Sequence, residues 1–290
     1  MNTPSSMVLD KHVVLVTGAA GGIGRAMVKG LMEAGATVVA VDVSSESLAE
    51  LEQQALKIRS GKLVCHAADL SREQACAGAV AFAVDSFGRI DAVVNNAGIA
   101  RLAIKPNFFQ EPPKFWDISG ALWQKFFDIN ASAVFHMMKC ALPHMVGNAR
   151  GRIVNVTTSL DSMLVGGMSP YGPSKAASES LSSIAAAELK GSGVTVNVLL
   201  PGGTTDTPMI PPDAPFDRDD LLPPTVMVPP LIWLLSDAGS KTTGMRFRAN
   251  MWDTTMDAEQ AAAQAGAPIG WMAIAAGQYR APRRKVEAAG

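Results

Sequence analysis

The sequence predicts one doubly wound α/β domain, a parallel sheet of about seven strands with helices on both faces. Two observations predict it. Short β-branched runs alternate with helix-length segments along most of the 290 residues, the rhythm of βαβ units. Those runs are continuously apolar rather than alternating, as expected of strands covered on both sides.

Residues 1–10 read as a loose lead-in. HVVLVT (12–17) is the first strand and ends in a glycine cluster, after which RAMVKGLMEAG (25–35) is amphipathic and helical. ATVVAVD (36–42) reads as strand, SESLAELEQQALKI (45–58) as helix, KLVCHAAD (62–69) as strand and REQACAGAVAFAVDSFG (72–88) as helix. DAVVNN (91–96), GRIVNVTT (151–158) and GVTVNVLL (193–200) continue the strands, and GMRFRANMW (244–252) is strand-like near the end. Three stretches break the rhythm: the aromatic segment 99–118, the proline-rich segment 201–230 and the alanine-rich tail 254–290. The first two follow strands directly, so they are placed to cover a ligand site beyond the strands' carboxyl ends. The expected organisation is a lead-in over 1–10, a catalytic domain over 11–253 and a C-terminal extension over 254–290, in which APIGW (267–271) could anchor the tail and RAPRRK (280–285) is basic.

Composition narrows the functional classes. Hydrophobic residues make up 48%, charged residues 18%, and the net charge is −1. A large core can form, and no basic stripe invites nucleic acid. The apolar runs are too short to span a bilayer, so no membrane partner is expected. MNTPSSMVLDKH lacks the pattern of a secretory signal. The three cysteines lie far apart with no C-x-x-C pair, which suggests reduced thiols, a cytoplasmic location and no metal site.

TGAAGGIG (17–24) sits between a strand and a helix. Gly18 suits the tight turn, Gly22 a backbone approaching phosphate, and Gly24 close packing of helix on strand. The helix start then offers free amides to a pyrophosphate. Asp42 closes the second strand, where a carboxylate can accept hydrogen bonds from a ribose 2′-OH and would repel a 2′-phosphate. Val43, Ser44 and Ser45 bring no cation, and Arg25 is the nearest one. NAD is therefore expected over NADP, although Asp42 could instead be a turn or cap residue. Asp69 could reach the adenine or cap the next helix.

With NNAG (95–98) and YGPSK (171–175) the chain resembles the short-chain dehydrogenase/reductase family. TGAAGGIG matches its glycine motif, Asn130 in FFDINAS its helix asparagine, YGPSK its YxxxK, and PGGTTDT (201–207) its PG motif, so the resemblance covers roughly 12–250. It implies a Rossmann-type oxidoreductase interconverting a secondary alcohol and a ketone. Tyr171 is the expected base, with Lys175 one helical turn on, lowering the phenol's pKa and binding the nicotinamide ribose. The substrate-orienting hydroxyl falls on Thr158, where the family usually has serine, and Ser159 is the alternative. Asn130 is expected to help hold a water that relays protons to the lysine, or else to make a helix–helix hydrogen bond. Ile23, Leu70, Asn96, Ala97, Gly98, Pro201 and Gly202 join the cofactor set. In the PG motif Asp206 stands where the family often has threonine, leaving Thr204 and Thr207 as candidates for the carboxamide. The family also implies a homo-oligomer, a dimer or tetramer.

The substrate wall is expected from Leu160, Met163, Met168 and Met209, with Phe108, Phe109, Phe115 and Trp116 nearby. It favours an apolar small molecule, cyclic or aromatic. Competing readings are an NADPH-dependent 3-oxoacyl-carrier reductase and a non-catalytic nucleotide-binding sensor.

Overall fold

The computed structural model describes residues 8–271; Tyr279 and the basic stretch 280–285 lie outside them. The strands are β1 (Val13–Thr17), β2 (Thr37–Asp42), β3 (Lys62–Ala67), β4 (Ala92–Asn95), β5 (Gly151–Val156), β6 (Val194–Leu200), β7 (Met245–Arg248) and β8 (Gly266–Pro268). They form one sheet in the order β3-β2-β1-β4-β5-β6-β7-β8. Every pairing is parallel except β7 with β8. The eighth strand, beyond the seven expected, is three residues long and has no β-branched residue, so no strand signal marks it. It forms because Met245 to Phe247 offer it an edge.

The helices are α1 (Gly22–Glu33), α2 (Ser45–Ala55), α3 (Glu73–Phe87), α4 (Gly120–Phe127), α5 (Ala133–Gly147), α6 (Tyr171–Glu188), α7 (Val228–Leu235) and α8 (Ala258–Ala265). Alternation along the strands feeds two cores. Val14, Val16, Val38 and Ala40 pack on one side with Met27, Leu31, Leu48 and Leu231. Val13, Leu15, Val39 and Val41 pack on the other with Cys76, Val80, Met137 and Met145. This two-sided burial explains why the strands read as unbroken apolar runs.

Two boundaries move for local reasons. α1 begins at Gly22, three residues early, because the glycine turn itself supplies the first helical turn. β5 stops at Val156, two residues short of the expected end. The Val156 carbonyl is taken by Lys175 Nζ at 2.9 Å, so the chain leaves the strand before Thr158. The three cysteines are free. Burial pushes Cys65 up to about 11 and Cys76 up to about 12.

The segment after β7 folds back onto the body. Ile269 is 1% exposed and packs with Val198 and Leu200, and the Gly270 amide donates to Glu179 Oε1 at 2.9 Å. Truncating Ile269 to alanine should cost about 2–4 kcal/mol in denaturant unfolding; a cost under about 0.5 kcal/mol would show the segment to be dispensable to the fold.

Candidate active site

The order reverses between β1 and β4, one strand running its crossovers each way. Ligands in open α/β sheets bind at such a switch point, beyond the carboxyl ends. A cavity of about 1380 Å³ opens there, running from Asp42 and Asp69 past Gly18 and Gly22 to Tyr171 and Lys175.

At the nucleotide end, Gly18 has φ +60°, a left-handed conformation that glycine adopts without strain. A Cβ on Gly24 would lie 2.0 Å from the Gly18 carbonyl oxygen, so only glycine lets α1 start this close to β1. The N-cap of α1, Gly21, has no side-chain cap, and the first-turn amides face the cavity. A Cβ on Gly22 would meet Thr207, which lies over the turn. Ile23 and Leu70 also line the cavity. Asn96 clamps the floor: its Nδ2 donates to the carbonyls of Thr17 and Gly18 at 3.1 and 3.0 Å. Ala97 and Gly98 follow it along the wall.

Asp42 Oδ2 accepts from the Ala20 amide at 3.0 Å and Oδ1 from Ser44 at 3.2 Å, so the carboxylate both braces the turn and faces the cavity. Arg25 is turned away: it donates to Ala20 O, Ser47 O and Glu50. Asp69 accepts from the Ser71 amide at 3.1 Å in a local turn and lines the cavity; it does not cap α3, whose N-cap is Arg72 without a side-chain cap. The Ser71 hydrogen bonds hold its carboxyl below the usual range. An uncapped glycine turn, a brace carboxylate and a long cleft fit a nicotinamide dinucleotide.

At the reactive end, Tyr171 and Lys175 occupy the first turns of α6, which starts at Tyr171 and so tolerates Pro173. Burial pushes the Tyr171 phenol up; the Thr158 hydroxyl and the Arg101 guanidinium pull it down without prevailing. Burial also pushes Lys175 down to about 8. The direction is opposite to the expected acidification of the phenol by Lys175. Burial disfavours the charged form of each group, and neither shift carries a contribution from the other.

Thr158 and Ser159 lie past the end of β5, so strand alternation does not separate them. Both line the cavity, and both hydroxyls meet Ser162 Oγ, at 2.8 and 3.0 Å. Ser162, which the sequence reading did not single out, is the hub of this cluster. Asn130 sits in a π-helical turn (Asp128–Ser132) between α4 and α5. Its side chain is committed: Oδ1 accepts from Ile99 N at 2.8 Å, and Nδ2 donates to Ile99 O and Ser174 Oγ. The helix–helix hydrogen bond is the alternative it realises. Asn130 is fully buried and acts as a positioning residue for the 98–99 loop and α6.

Pro201, Gly202, Thr204 and Thr207 line the cavity, as does Thr205. Asp206 does not; it is ion-paired with Arg218, which also donates to Ile210 O and so pins the loop. The two irregular segments meet over the cleft, with Phe109 and Phe216 ring centroids 4.9 Å apart and Gln110 donating to Asp213 O. Met168, Met209, Phe108 and Phe109 line the cavity. Leu160 and Met163 do not, which corrects the expectation for them: Met163 is 5% exposed, inside a short turn under Gly172. Phe115 and Trp116 are 75% and 77% exposed in a short turn and do not line the cavity, which corrects the expectation for them: side chains this open to solvent cannot wall a cleft. Arg101, a cavity residue beside Tyr171, was missed because a lone loop arginine carries no periodic signal.

Lys175 gives this site a pH signature. The unfolded chain holds lysine near 10.4, above the folded value of about 8, so the unfolded state binds its proton more tightly. Stability is penalised below about pH 8 and recovers as pH rises towards 10. Above about 10 the raised Tyr171 phenol works in the opposite direction. Denaturation midpoints of the wild type should rise across about pH 8 to 10, relative to Lys175→Met. Parallel curves for the two proteins would contradict the burial of a charged lysine.

Among the described residues no helix is long and apolar enough to cross a membrane. A 2,5-dichloro-2,5-cyclohexadiene-1,4-diol dehydrogenase of Sphingobium indicum is 31% identical over 245 residues, covering 82% of this chain and 94% of that protein. A 3-oxoacyl-acyl-carrier-protein reductase structure from Brucella melitensis with bound NAD is 29% identical, with a TM-score of 0.71 over 84% of this chain and 90% of its own. A short-chain dehydrogenase from Shigella flexneri complexed with NADP is 26% identical, with a TM-score of 0.73 over 86% of this chain and 100% of its own. The family model for short chain dehydrogenases matches residues 12–215. With that match spanning the glycine turn, the asparagine turn and the Tyr171–Lys175 helix, the chain belongs to the short-chain dehydrogenase family of oxidoreductases.

Proposed function

We propose that this oxidoreductase uses NAD to interconvert a secondary alcohol and a ketone on an apolar, cyclic or aromatic small molecule. The observation that carries the reading is the convergence of Tyr171, Lys175 and the Thr158–Ser159–Ser162 hydroxyl cluster on one wall of a cleft whose other end is a dinucleotide cradle. The bound nicotinamide would accept or return the hydride and, when oxidised, add a positive charge beside the phenol.

Tyr171 takes the substrate hydroxyl proton in oxidation and returns it in reduction. Thr158 or Ser159 donates a hydrogen bond to the substrate oxygen, and Ser162 holds both hydroxyls in place. Lys175 is anchored on Val156 O, leaving its other protons for the nicotinamide ribose. Thr204 or Thr207 would hold the carboxamide. Gly18, Gly22, Ile23 and Gly24 cradle the pyrophosphate, and Asp42 accepts from the adenosine ribose.

Asp42 at the cleft and Arg25 engaged by Glu50 favour NAD over NADP, because among the described residues no cation lines the cavity beside Asp42 to meet a 2′-phosphate. Met168, Met209, Phe108 and Phe109 supply the apolar wall, and the Sphingobium relative is named for a cyclic diol. We place the protein in the cytoplasm as a homo-oligomer, with no nucleic-acid or membrane partner.

A panel of secondary alcohols and ketones followed by NADH absorbance tests the activity. Tyr171→Phe should lower turnover about 100-fold or more while NADH still binds by fluorescence; retained turnover would remove Tyr171 from the chemistry. No turnover on the whole panel, with NADH bound, would favour the sensor reading. In cofactor titrations NADH should bind at least about tenfold tighter than NADPH, and Asp42→Ala should narrow that gap. Equal affinities in the wild type would overturn the Asp42 argument.

A further inference from the structure

Arg101 occupies an unusual place. It lies three residues past Gly98, in a short helical turn (Arg101–Ala103), and lines the substrate end of the cleft. Its guanidinium stacks over Phe108 at 4.4 Å and Phe109 at 5.1 Å from the ring centroids. Arg101 and Tyr171 both line this cavity, and the guanidinium charge pulls the phenol's pKa down against its burial. Among the described residues Arg101 has no ion-pair partner within 4.0 Å, in contrast to Arg25, Arg89, Arg218 and Arg246. Its side chain makes no hydrogen bond to a described residue either, and burial lowers its pKa.

The other charges around the cleft's substrate end are accounted for. Asp128 accepts from Gln124 at 2.7 Å. Asp161 accepts from its neighbour Ser162 N at 2.9 Å, and the Ser159 hydroxyl helps hold its carboxyl below the usual range. Lys175 gives one proton to Val156 O and in the proposed mechanism turns the others to the nicotinamide ribose, and Lys125 stands exposed at the rim. Arg101 is left as a half-buried cation whose face is covered by aromatic rings and whose edge N–H groups are unmatched. A guanidinium is a planar fork whose paired N–H groups match the two oxygens of a carboxylate. The rings orient it but supply no acceptor for its donors.

Resting on the proposed alcohol–ketone chemistry, we infer that Arg101 is a specificity-determining residue that binds a carboxylate on the substrate, so that the preferred substrate is an apolar hydroxy or oxo acid rather than a neutral alcohol. The apolar part of such a molecule would lie against Met168, Met209 and the phenylalanine rings. Its carboxylate would meet Arg101, and its carbinol carbon would face Tyr171.

The test is binding, which does not depend on turnover. Cyclohexanecarboxylate and its neutral isostere cyclohexanecarboxamide are titrated calorimetrically into the full-length protein saturated with NADH. The wild type should bind the acid about 10- to 100-fold more tightly than the amide. Arg101→Met, checked for an unchanged circular dichroism spectrum, should bring that ratio near one, and Arg101→Lys should keep part of it. Equal binding of acid and amide by the wild type, no binding of either, or a ratio unmoved in Arg101→Met would overturn the inference. If the acid is preferred through Arg101 yet no secondary alcohol or hydroxy acid is oxidised, the carboxylate site at Arg101 stands, while the proposed activity falls and takes the hydroxy-acid substrate with it. If neutral alcohols are oxidised while acid and amide bind alike, the activity stands and the inference falls.

Discussion

Helix α6 buries a polar face, and the site depends on satisfying it. Ser174, Lys175, Ser178, Glu179 and Ser182 are all buried. Such a face gains little from apolar contact and is costly unless each group finds a partner. Every one does. Ser174 accepts from Asn130, Ser178 donates to the Asn130 carbonyl, and Ser182 accepts from Asn155. Lys175 reaches Val156 O. The helix that carries the phenol is thereby located by directional bonds rather than by apolar packing alone.

Glu179 extends this constraint across the molecule. It is fully buried, is paired with Arg246 of β7 at 2.9 Å, and also accepts from Thr157 and from the Gly270 amide. Arg246 in turn donates to the Thr158 carbonyl at 3.0 Å. One buried ion pair therefore joins the phenol-bearing helix, the turn that carries Thr158, and the segment following β7. Leaving either charge alone in this setting would be costly. This explains why residues 266–270 pack against the sheet edge and α6 rather than trailing from them.

The cleft divides into a nucleotide end built from backbone and a substrate end built from loops. At the first, Gly18, Gly24 and the Asn96 clamp fix main-chain positions to within hydrogen-bond tolerances. At the second, the 99–118 and 201–220 segments touch through Phe109, Phe216, Gln110 and Asp213. Rigid elements position the chemistry while loops shape what enters, the usual division between scaffold and specificity.

The alternation of strand and helix, the glycine turn and the YGPSK helix start were legible from residue order. They are local signals: a β-branched run, a missing Cβ and an i, i+4 pair act within one or two turns of chain. Other features came from residues far apart in sequence. β8 has no strand propensity and exists because β7 offers an edge. Met163 and Trp116 look alike as loop hydrophobes, yet one is buried under Gly172 and the other stands in solvent. Arg101 takes its setting from Phe108 and Phe109, ten residues or fewer away but brought over it only by the fold of the loop. The acidity of Tyr171 and Lys175 followed burial rather than spacing, because desolvation is set by everything packed around a charge. Local geometry is written in neighbouring residues, whereas burial and partner choice are decided only when distant segments share the same space.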